Sequence, residues 1–134
     1  MKTNKDIVEA VFRATAEANG RPFVEAMAET CVWRAIGTRS WSGVYEGKAA
    51  ILKNLLGPLG KRIEGGRTKT IARRIHDAGE FVIVEAEGCN RTVDGADYNN
   101  QYCFVIRMRN GEMIEIVEYL DTELAEKALG AAVR

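Results

Sequence analysis

The hydrophobic positions of the chain follow a helical period in its first part and a strand period after Gly65-Gly66. Apolar residues spaced three to four apart predict helices, and apolar residues that alternate with polar ones predict strands. The predicted helices run from Thr3 to Asn19-Gly20, briefly from Pro22, from residue 47 or 48 to Gly57-Pro58, which ends or interrupts the third helix, and onward from Asp121 or Thr122. The predicted strands cover residues 31–36, 67–76, 81–91, 98–108 and 113–120.

The strongest local signal is the turn at Asn110-Gly111, which lies between two apolar-rich runs. Both residues tolerate positive φ, so the turn predicts a β-hairpin with arms 98–108 and 113–120. Residues 37–47 are polar and rich in glycine, and we expect a loop or a ragged hairpin there. Thr92 to Asp97, with Asp94-Gly95 inside it, predicts the turn that leads into the main hairpin.

Helices that precede a run of antiparallel strands indicate the α+β class. We expect one domain, residues 1–134, in which N-terminal helices pack on a strongly curved antiparallel sheet to form a cone with an internal pocket. Six positions of the first hairpin arm share one face by the two-residue period: Tyr98, Asn100, Tyr102, Phe104, Ile106 and Met108. On the second arm Ile114, Ile116, Glu118 and Leu120 do the same, so both faces are apolar with a few polar groups. Such a face is typical of a pocket lining.

Composition bounds the function classes. Apolar residues make up 46% of the chain and charged residues 28%, as in soluble globular proteins. Lysine plus arginine equals aspartate plus glutamate at 19 each, so net charge gives no reason to expect nucleic acid or an anionic membrane as a partner. The basic run from Lys61 to Arg74 lacks the interleaved aromatic residues that nucleic-acid binding uses. No apolar run approaches the roughly 20 residues of a membrane helix. A cytoplasmic location is the expectation.

The cysteines and the single histidine do not indicate a metal site. Cys31, Cys89 and Cys103 lie far apart in predicted strands, no pair has CxxC spacing, and His76 is the one histidine. We expect reduced, buried thiols and an exposed His76. Without a nucleotide-binding fingerprint or a metal cluster, we expect no cofactor.

Glu118 is the main candidate for chemistry. Its neighbours on the same strand face are Ile116 and Leu120, and a carboxylate among apolar side chains has a raised pKa that suits acid–base catalysis. The alternative is a carboxylate at the sheet rim, paired with an arginine. Asn100 and Tyr102 share a face with Phe104 and are candidates for binding a carbonyl or enolate oxygen, or for simple cross-strand pairing. Tyr98, nearer the turn, is assigned a structural part.

Other residues are candidates for contacting a ligand. Arg34 could bind a carboxylate with both nitrogens, although the direction of its side chain stays open because a bulge would exchange the strand faces. Trp33, Trp41 and Tyr45 surround the pocket mouth, either as packing residues or as ligand contacts. Apolar wall positions are expected at Phe12, Ile51, Leu55, Phe104 and Ile116. Glu85 and Glu87, two apart on a strand, form either a carboxylate dyad or a solvated outer face.

The sequence resembles the nuclear transport factor two-like superfamily, in its SnoaL-like, ketosteroid-isomerase-related branch. The resemblance covers nearly the whole chain and rests on the helical N-terminus and on segments 32–37, 42–51, 95–102, 109–114 and 118–122. It implies a cystatin-like, ketosteroid-isomerase-like fold. The superfamily hosts isomerases, cyclases, hydrolases, dehydratases and non-catalytic proteins on one scaffold, so the resemblance is specific for the fold and not for the activity.

Carried over by position, the resemblance places a pocket residue at Glu118, where cyclase and epoxide-hydrolase relatives have an acid–base aspartate. The general base of ketosteroid isomerases would fall near Arg34 and their protonated oxyanion-hole aspartate near Phe104, so neither carboxylate is present. The Arg-x-Asp pair of the epoxide hydrolases would fall at residues 84–88, which contain Glu85 and Glu87 and no arginine.

Two hypotheses follow for the function. The first is a small cofactor-independent isomerase, cyclase, lyase or hydrolase that acts on a compact apolar or amphipathic molecule, with Glu118 moving a proton and Asn100 and Tyr102 binding an oxygen. The second is a non-catalytic module of the same fold that binds a ligand or dimerises. The outer sheet face carries apolar residues such as Val105 and Val117, which, with the resemblance, predicts a homodimer through that face.

Overall fold

The structure, a computed structural model, describes residues 1–133. It has the predicted α+β architecture, with helices packed against one face of a six-stranded sheet. In chain order the elements are α1 (Asn4–Thr15), α2 (Arg21–Ala26), β1 (Met27–Ala35), β2 (Gly43–Glu46), α3 (Lys48–Ile51), a π-helical turn (Leu52–Leu56), α4 (Gly57–Arg62), a 3₁₀ turn (Glu64–Gly66), β3 (Thr70–Ala78), β4 (Phe81–Gly88), β5 (Asn90–Arg91), β6 (Asp97–Tyr98), β7 (Gln101–Arg109), β8 (Glu112–Leu120) and α5 (Thr122–Leu129).

The first helix begins at a capping box formed by Thr3, the predicted start of the helix, and Asp6. The Thr3 hydroxyl accepts from the Asp6 backbone N–H at 3.0 Å, and the Asp6 carboxylate accepts from the Thr3 backbone N–H at 3.0 Å. The apolar stripe of α1 faces the core through Val8, Val11 and Phe12. This stripe packs the helix against β3 and against α2.

The sheet has the strand order β2-β1-β8-β7-β4-β3. Strands β3, β4, β7 and β8 form the predicted antiparallel series, and the hairpin β7–β8 turns at Asn110, whose φ of 51° the turn requires. The expectation of a wholly antiparallel sheet is wrong for one pair, because β1 lies parallel to β8. This pairing joins residues about 85 positions apart along the chain, which local turn signals do not reveal. Residues 43–46, expected in a loop or ragged hairpin, form β2 against β1.

Three register shifts interrupt the sheet, and such bulges bend and twist a strand. The shift between β7 and β8 changes which residues at the start of β8 point inward, compared with the prediction. Met108 pairs with Met113 while Arg107 pairs with Glu115, so Ile114 is the extra residue of a bulge. Met113 is fully buried and takes the inward position that the uninterrupted two-residue period assigns to Ile114. Beyond the bulge, Ile116 and Glu118 lie on the inner face as predicted.

The segment after β2 is one helical path that is interrupted rather than ended at Gly57-Pro58. The π-helical turn widens the path, and the Gly57 N–H donates to the carbonyl of Leu52. Pro58 then occupies the first turn of α4, where its missing N–H costs little. A β-carbon on Gly57 would lie 2.8 Å from the Leu52 carbonyl oxygen, so the turn requires glycine there.

The C-terminal helix is fixed at both ends. Asp121 caps its start, with the side chain accepting from the Leu124 N–H at 3.0 Å. At its other end the Arg62 guanidinium donates to the carbonyls of Leu129 and Ala131, and Trp41 donates to the carbonyl of Gly130 at 2.8 Å. These contacts hold helix α5 beside the cavity, whose lining includes Ala125 and Leu129.

Candidate active site

A cavity of about 270 Å³ lies between the inner face of the sheet and the helices. Its wall is mainly apolar and includes Phe12, Phe23, Trp33, Leu55, Phe104 and Leu129. This volume is just below the range of about 300–1,000 Å³ that is typical of pockets for drug-sized ligands. An apolar cavity of about 150 Å³ already holds benzene. The space therefore suits a compact molecule of one or two rings.

Glu118 reaches this cavity from the middle of the sheet. Strand β8 is flanked by β7 on one side and by β1 on the other, and Glu118 pairs with Phe104 and with Ala35. Its backbone carbonyl accepts from the Ile36 N–H at 3.1 Å, which fixes the strand at this point. The side chain is largely enclosed by protein, and the surface it retains belongs to the cavity wall.

One hydrogen bond orients the Glu118 carboxyl group. The indole Nε1–H of Trp33 donates to its Oε1 at 3.1 Å. Burial raises the pKa of Glu118 to about 7, and the indole bond, which favours the ionised form, lowers the pKa by less. Among residues 1–133 no arginine, lysine or histidine forms an ion pair with this carboxylate. At neutral pH the group is therefore divided between its acid and base forms.

A closed ring of aromatic contacts holds Trp33 in place. Phe12 lies 5.6 Å from Phe23 and 5.7 Å from Phe104, and Trp33 lies 5.6 Å from Phe23 and 6.2 Å from Phe104, between ring centroids. We call these four residues the aromatic ring cluster. Their edge-to-face and tilted geometries are favourable beyond their buried area. The cluster forms one cavity wall and also fixes the indole that binds Glu118.

Two tyrosines supply hydroxyl groups to the same cavity. Tyr102 stacks on Phe104 at 5.3 Å, and its hydroxyl oxygen lies 3.5 Å from that of Tyr98. Both rings belong to the wall. Burial raises the pKa of Tyr98 and raises the pKa of Tyr102 well above the usual value, so both phenols stay protonated near neutral pH. Two O–H donors and one acid thus share a largely apolar space.

Asn100 does not lie on the cavity wall, although the two-residue period places it on the same face as Tyr102. The strand is interrupted between Tyr98 and Gln101, which breaks that period. Asn100 is fully buried and binds the Tyr98 hydroxyl, both backbone groups of Asp121 and the Gln101 N–H. All its donors and acceptors are filled inside the protein, so we assign it no direct contact with a ligand.

The candidate wall residues divide into two groups. Phe12, Trp33, Leu55 and Phe104 line the cavity. Ile51, Ile116 and Tyr45 lie in the core outside the lining, and the Tyr45 hydroxyl donates to the Trp41 carbonyl at 2.9 Å.

The structure shows which face of β1 carries Arg34, a direction that the sequence leaves open. Cys31, Trp33 and Ala35 point inward, so Arg34 alternates to the outer face, where it is exposed. It is in register there with Val44 and Val117. The cavity takes its arginines from elsewhere: Arg39, which is paired with Glu123 at 2.7 Å, and Arg67.

Glu85 and Glu87 form no dyad. The Glu85 carboxylate contacts Arg74 and His76, each at 2.7 Å, and Glu87 contacts Arg73 at 3.2 Å. Bonds from His76 and Arg74 lower the pKa of Glu85. The pair belongs to an ion-paired outer face, which was the alternative interpretation, and His76 is exposed as expected.

The three cysteines are free, and one of them differs from expectation. Cys31 is buried and Cys103 is half-buried, but Cys89 is exposed in the break between β4 and β5. Burial raises the pKa of Cys31 to about 11, so this thiol stays protonated and unreactive.

Within residues 1–133, no group of three or more histidine, cysteine, aspartate or glutamate side chains is arranged to hold a metal ion. No helix of that part of the chain has the length and apolar character needed to cross a membrane.

Sequence reasoning missed three parts of the site. Tyr98 was assigned a purely structural part, yet its ring lies on the wall. Phe23 is not among the sequence candidates although it lines the cavity, and the sequence does not predict that Trp33 binds Glu118. The alternation of residues in β1 places Trp33 on the same face as Cys31 and Ala35, which indicates that it points inward. The pairing of β1 with β8 that brings the two residues together is not visible in the sequence.

Comparisons with known proteins bear on the fold. No protein-family model matches the sequence, and no curated protein matches it. Among solved structures, an NTF2-like protein of Burkholderia thailandensis is 22% identical with a TM-score of 0.81, over 96% of this chain and 98% of that one. A candidate isomerase of Bacillus subtilis is 20% identical with a TM-score of 0.74, over 96% and 94%. A candidate SnoaL-like polyketide cyclase of Jannaschia sp. CCS1 is 14% identical with a TM-score of 0.74, over 97% and 93%. The chain therefore has the NTF2-like fold, as its resemblance predicted.

Proposed function

We propose that the protein is a small-molecule enzyme of the isomerase, cyclase, lyase or hydrolase type, in which Glu118 transfers a proton within the apolar cavity. The observation that carries the proposal is the environment of Glu118. The carboxyl group is enclosed, is not ion-paired within residues 1–133, and is held by Trp33 at 3.1 Å. A rim carboxylate paired with an arginine would instead have favoured a non-catalytic module.

The chemistry follows from the pKa and from the wall. A group with a pKa of about 7 is present in both forms at neutral pH, which is the condition for efficient general acid–base catalysis. The apolar wall excludes water and strengthens electrostatic interactions inside the cavity. A protonated phenol of the Tyr98 and Tyr102 pair can donate to an oxygen that gains negative charge when a neighbouring carbon loses a proton. Proton transfer next to a carbonyl is the step that this equipment supports best.

The similar folds support this proposal only in general terms. The solved structures of this fold include a candidate isomerase and a candidate cyclase, and also proteins of unknown function. The ligand proposed for this chain is a compact apolar or amphipathic molecule that carries at least one oxygen. The residues proposed to contact it are Phe12, Trp33, Leu55, Tyr102 and Phe104, with Glu118 as the acid–base group.

The proposal is tested by proton exchange on a bicyclic ketone. With 2-tetralone in D₂O, NMR measures the loss of the hydrogens next to the carbonyl. We expect the protein to accelerate exchange over buffer, and Glu118→Gln to remove that acceleration, since a positioned base contributes about 10²–10⁴-fold. The protein-dependent rate should rise with pH and level off above the pKa of about 7, because the base acts in its ionised form.

Glu112→Gln is the matched control, because Glu112 is exposed at the far end of the same strand. This variant should exchange 2-tetralone as fast as the unaltered protein. Equal exchange by the Glu118→Gln variant and the unaltered protein would contradict a catalytic Glu118. Saturable binding of 2-tetralone without exchange would favour a ligand-binding module of the same fold.

We also propose that two copies of the chain associate through the outer face of the sheet. Val105 and Val117 pair across β7 and β8 on that face and are half-buried, and Tyr119 beside them is 48% exposed. Basic and acidic side chains, among them Arg74 and Glu85, adjoin this apolar patch. A face with both signs of charge can match a second copy of itself about a twofold axis.

A further inference from the structure

The hydroxyl groups of Tyr98 and Tyr102 form a pair on the cavity wall whose hydrogens can be counted. Their oxygens lie 3.5 Å apart, and the Asn100 Nδ2–H₂ donates to the Tyr98 oxygen at 3.2 Å. The contact between the two phenols can use only one of their two hydrogens. Tyr102 is the donor in this contact, so the Tyr98 oxygen accepts from Tyr102 and from Asn100, and the Tyr98 hydroxyl hydrogen has no acceptor among residues 1–133.

The orientation of Asn100 decides where that hydrogen can go. Its Oδ1 accepts from two backbone N–H groups, those of Gln101 at 2.8 Å and Asp121 at 3.1 Å, so the amide cannot turn around. Its Nδ2 donates to the Asp121 carbonyl at 3.0 Å and to Tyr98. Asn100 therefore presents only a donor to Tyr98 and offers no acceptor for the Tyr98 hydrogen.

The remaining direction is the cavity. Both tyrosine rings form part of its wall, with Tyr98 only 2% exposed, and Glu118 lies on the same wall. Along the hairpin, Glu118 pairs with Phe104 and Leu120 pairs with Tyr102, so the acid is one diagonal step from Tyr102, whose hydroxyl contacts that of Tyr98. Diagonal neighbours on one sheet face are about 7–8 Å apart. An oxygen bound by the phenols would leave the adjacent carbon of the same molecule near Glu118.

We propose that Tyr98, positioned by Asn100, donates a hydrogen bond to an oxygen of the bound molecule, and that this pair selects carbonyl or phenol compounds over hydrocarbons of the same shape. The inference rests on the proposed function, because it concerns a ligand of the same cavity. Burial, which raises the pKa of both phenols, keeps them protonated so that they can donate. Asn100 is a positioning residue and Tyr98 is a ligand-binding residue.

A matched pair of ligands tests the inference. Tetralin has the shape of 2-tetralone without its oxygen, and calorimetry measures the dissociation constant of each. We expect the unaltered protein to prefer 2-tetralone. Tyr98→Phe should weaken 2-tetralone binding by roughly tenfold, the loss of one hydrogen bond, and leave tetralin binding within about twofold. Tyr119→Phe, on the exposed outer face, is the control and should change neither constant.

The positioning part of Asn100 has its own readout. Asn100→Asp keeps an acceptor for the backbone N–H groups but replaces the Nδ2–H₂ donor to Tyr98 and to the Asp121 carbonyl with an acceptor, so the Tyr98 hydrogen turns toward residue 100 and away from the cavity. The variant should lose selectivity between the two ligands by the same factor as Tyr98→Phe, and the double variant should lose no more. A merely structural part would instead weaken both ligands together. That outcome would overturn the assignment of Asn100.

The failures are distinguishable. If Tyr98→Phe binds 2-tetralone as tightly as the unaltered protein while tetralin also binds, the inference about Tyr98 is wrong and the cavity remains a ligand site. If neither ligand binds the unaltered protein, the proposed ligand site and this inference both fall. Exchange catalysed by Glu118 is measured separately, so its loss or presence does not decide the hydrogen-bond assignment.

Discussion

Glu118 shows how one residue acquires its chemistry from its surroundings. The carboxyl group lies between two strands and faces an apolar cavity, and desolvation opposes its ionisation more strongly than the Trp33 bond favours it. In the unfolded chain the same group ionises near 4.5. Between pH 4.5 and pH 7, folding is therefore accompanied by the binding of a proton to Glu118, and the free energy of unfolding depends on pH in this range.

The sign of this dependence gives a prediction. Between pH 4.5 and 7 the folded state holds the Glu118 proton and the unfolded state does not, so this group lowers the free energy of unfolding as pH rises. The penalty is complete above pH 7 and reaches about 3 kcal/mol. Glu118→Gln keeps an oxygen for Trp33 but cannot ionise. Urea unfolding should show the variant more stable than the unaltered protein at pH 8 and close to it at pH 4.

Glu112→Gln again serves as the control in these unfolding experiments, because the Glu112 side chain is exposed. The difference in free energy of unfolding between the unaltered protein and Glu118→Gln should grow with pH. A constant difference from pH 4 to pH 8 would contradict a buried, proton-binding Glu118.

At the scale of elements, α5 depends on side chains from other parts of the chain. Asn100 binds both backbone groups of Asp121 at its start, and Arg62 binds the Leu129 and Ala131 carbonyls at its end. The Arg62 guanidinium also lies 5.8 Å from the centre of the Trp41 ring. Arg62 belongs to the basic run, which composition alone assigns to a solvated face. In the structure it instead stabilises the helix that borders the cavity.

Arg62→Met tests this arrangement. Methionine keeps much of the length of the side chain and removes the donors to the helix end, so we expect a loss of about 1–3 kcal/mol in stability. Hydrogen exchange measured by mass spectrometry should become faster in α5 of the variant than in α5 of the unaltered protein, while exchange in β7 stays the same. Lys61→Met, one residue earlier and exposed, should leave both unchanged. Unaltered exchange in α5 of the Arg62→Met variant would contradict this arrangement.

The elements also show how far sequence reasoning reaches. Capping at Thr3, the Asn110-Gly111 hairpin and the inward face of Glu118 and Tyr102 follow from local patterns, and all are found in the structure. The inward turn of Met113 could not be predicted, because the bulge at Ile114 shifts a period that looks uninterrupted in the sequence.

The remaining differences arise from contacts between distant parts of the chain. The parallel pairing of β1 with β8 brings Trp33 to Glu118, and no local signal specifies it. The two-residue period places Asn100 in the pocket only when it is extended through the break between β6 and β7. The direction of Arg34 was open because one strand alone does not tell which of its faces meets the helices.

At the scale of the whole molecule, one face of the sheet lies under helices, and no element within residues 1–133 covers the other face. The outer face combines the pair Val105 and Val117 with the exposed Tyr119 and adjoining charges. Exposed apolar patches on a sheet commonly mark an interaction surface. In the proposed dimer the two cavities lie on opposite sides of the interface, because each cavity belongs to the inner face of its own sheet.

Val117→Lys tests the dimer. A lysine at the centre of the patch should place like charges opposite each other across a twofold axis, so light scattering should report 14.8 kDa for the variant and twice that mass for the unaltered protein. Glu25→Lys, exposed on α2 away from the sheet face, should leave the mass unchanged. A mass of 14.8 kDa for the unaltered protein at micromolar concentration would contradict the dimer.

The bond between Trp33 and Glu118 has a practical consequence. An indole whose N–H is bound to a carboxyl group emits light differently when that carboxyl group gains or loses its charge. The other tryptophan, Trp41, donates to the backbone carbonyl of Gly130, which does not titrate. We therefore expect the emission of Trp33 to follow the ionisation of Glu118 without an attached label, while the partner of Trp41 keeps the same charge at every pH.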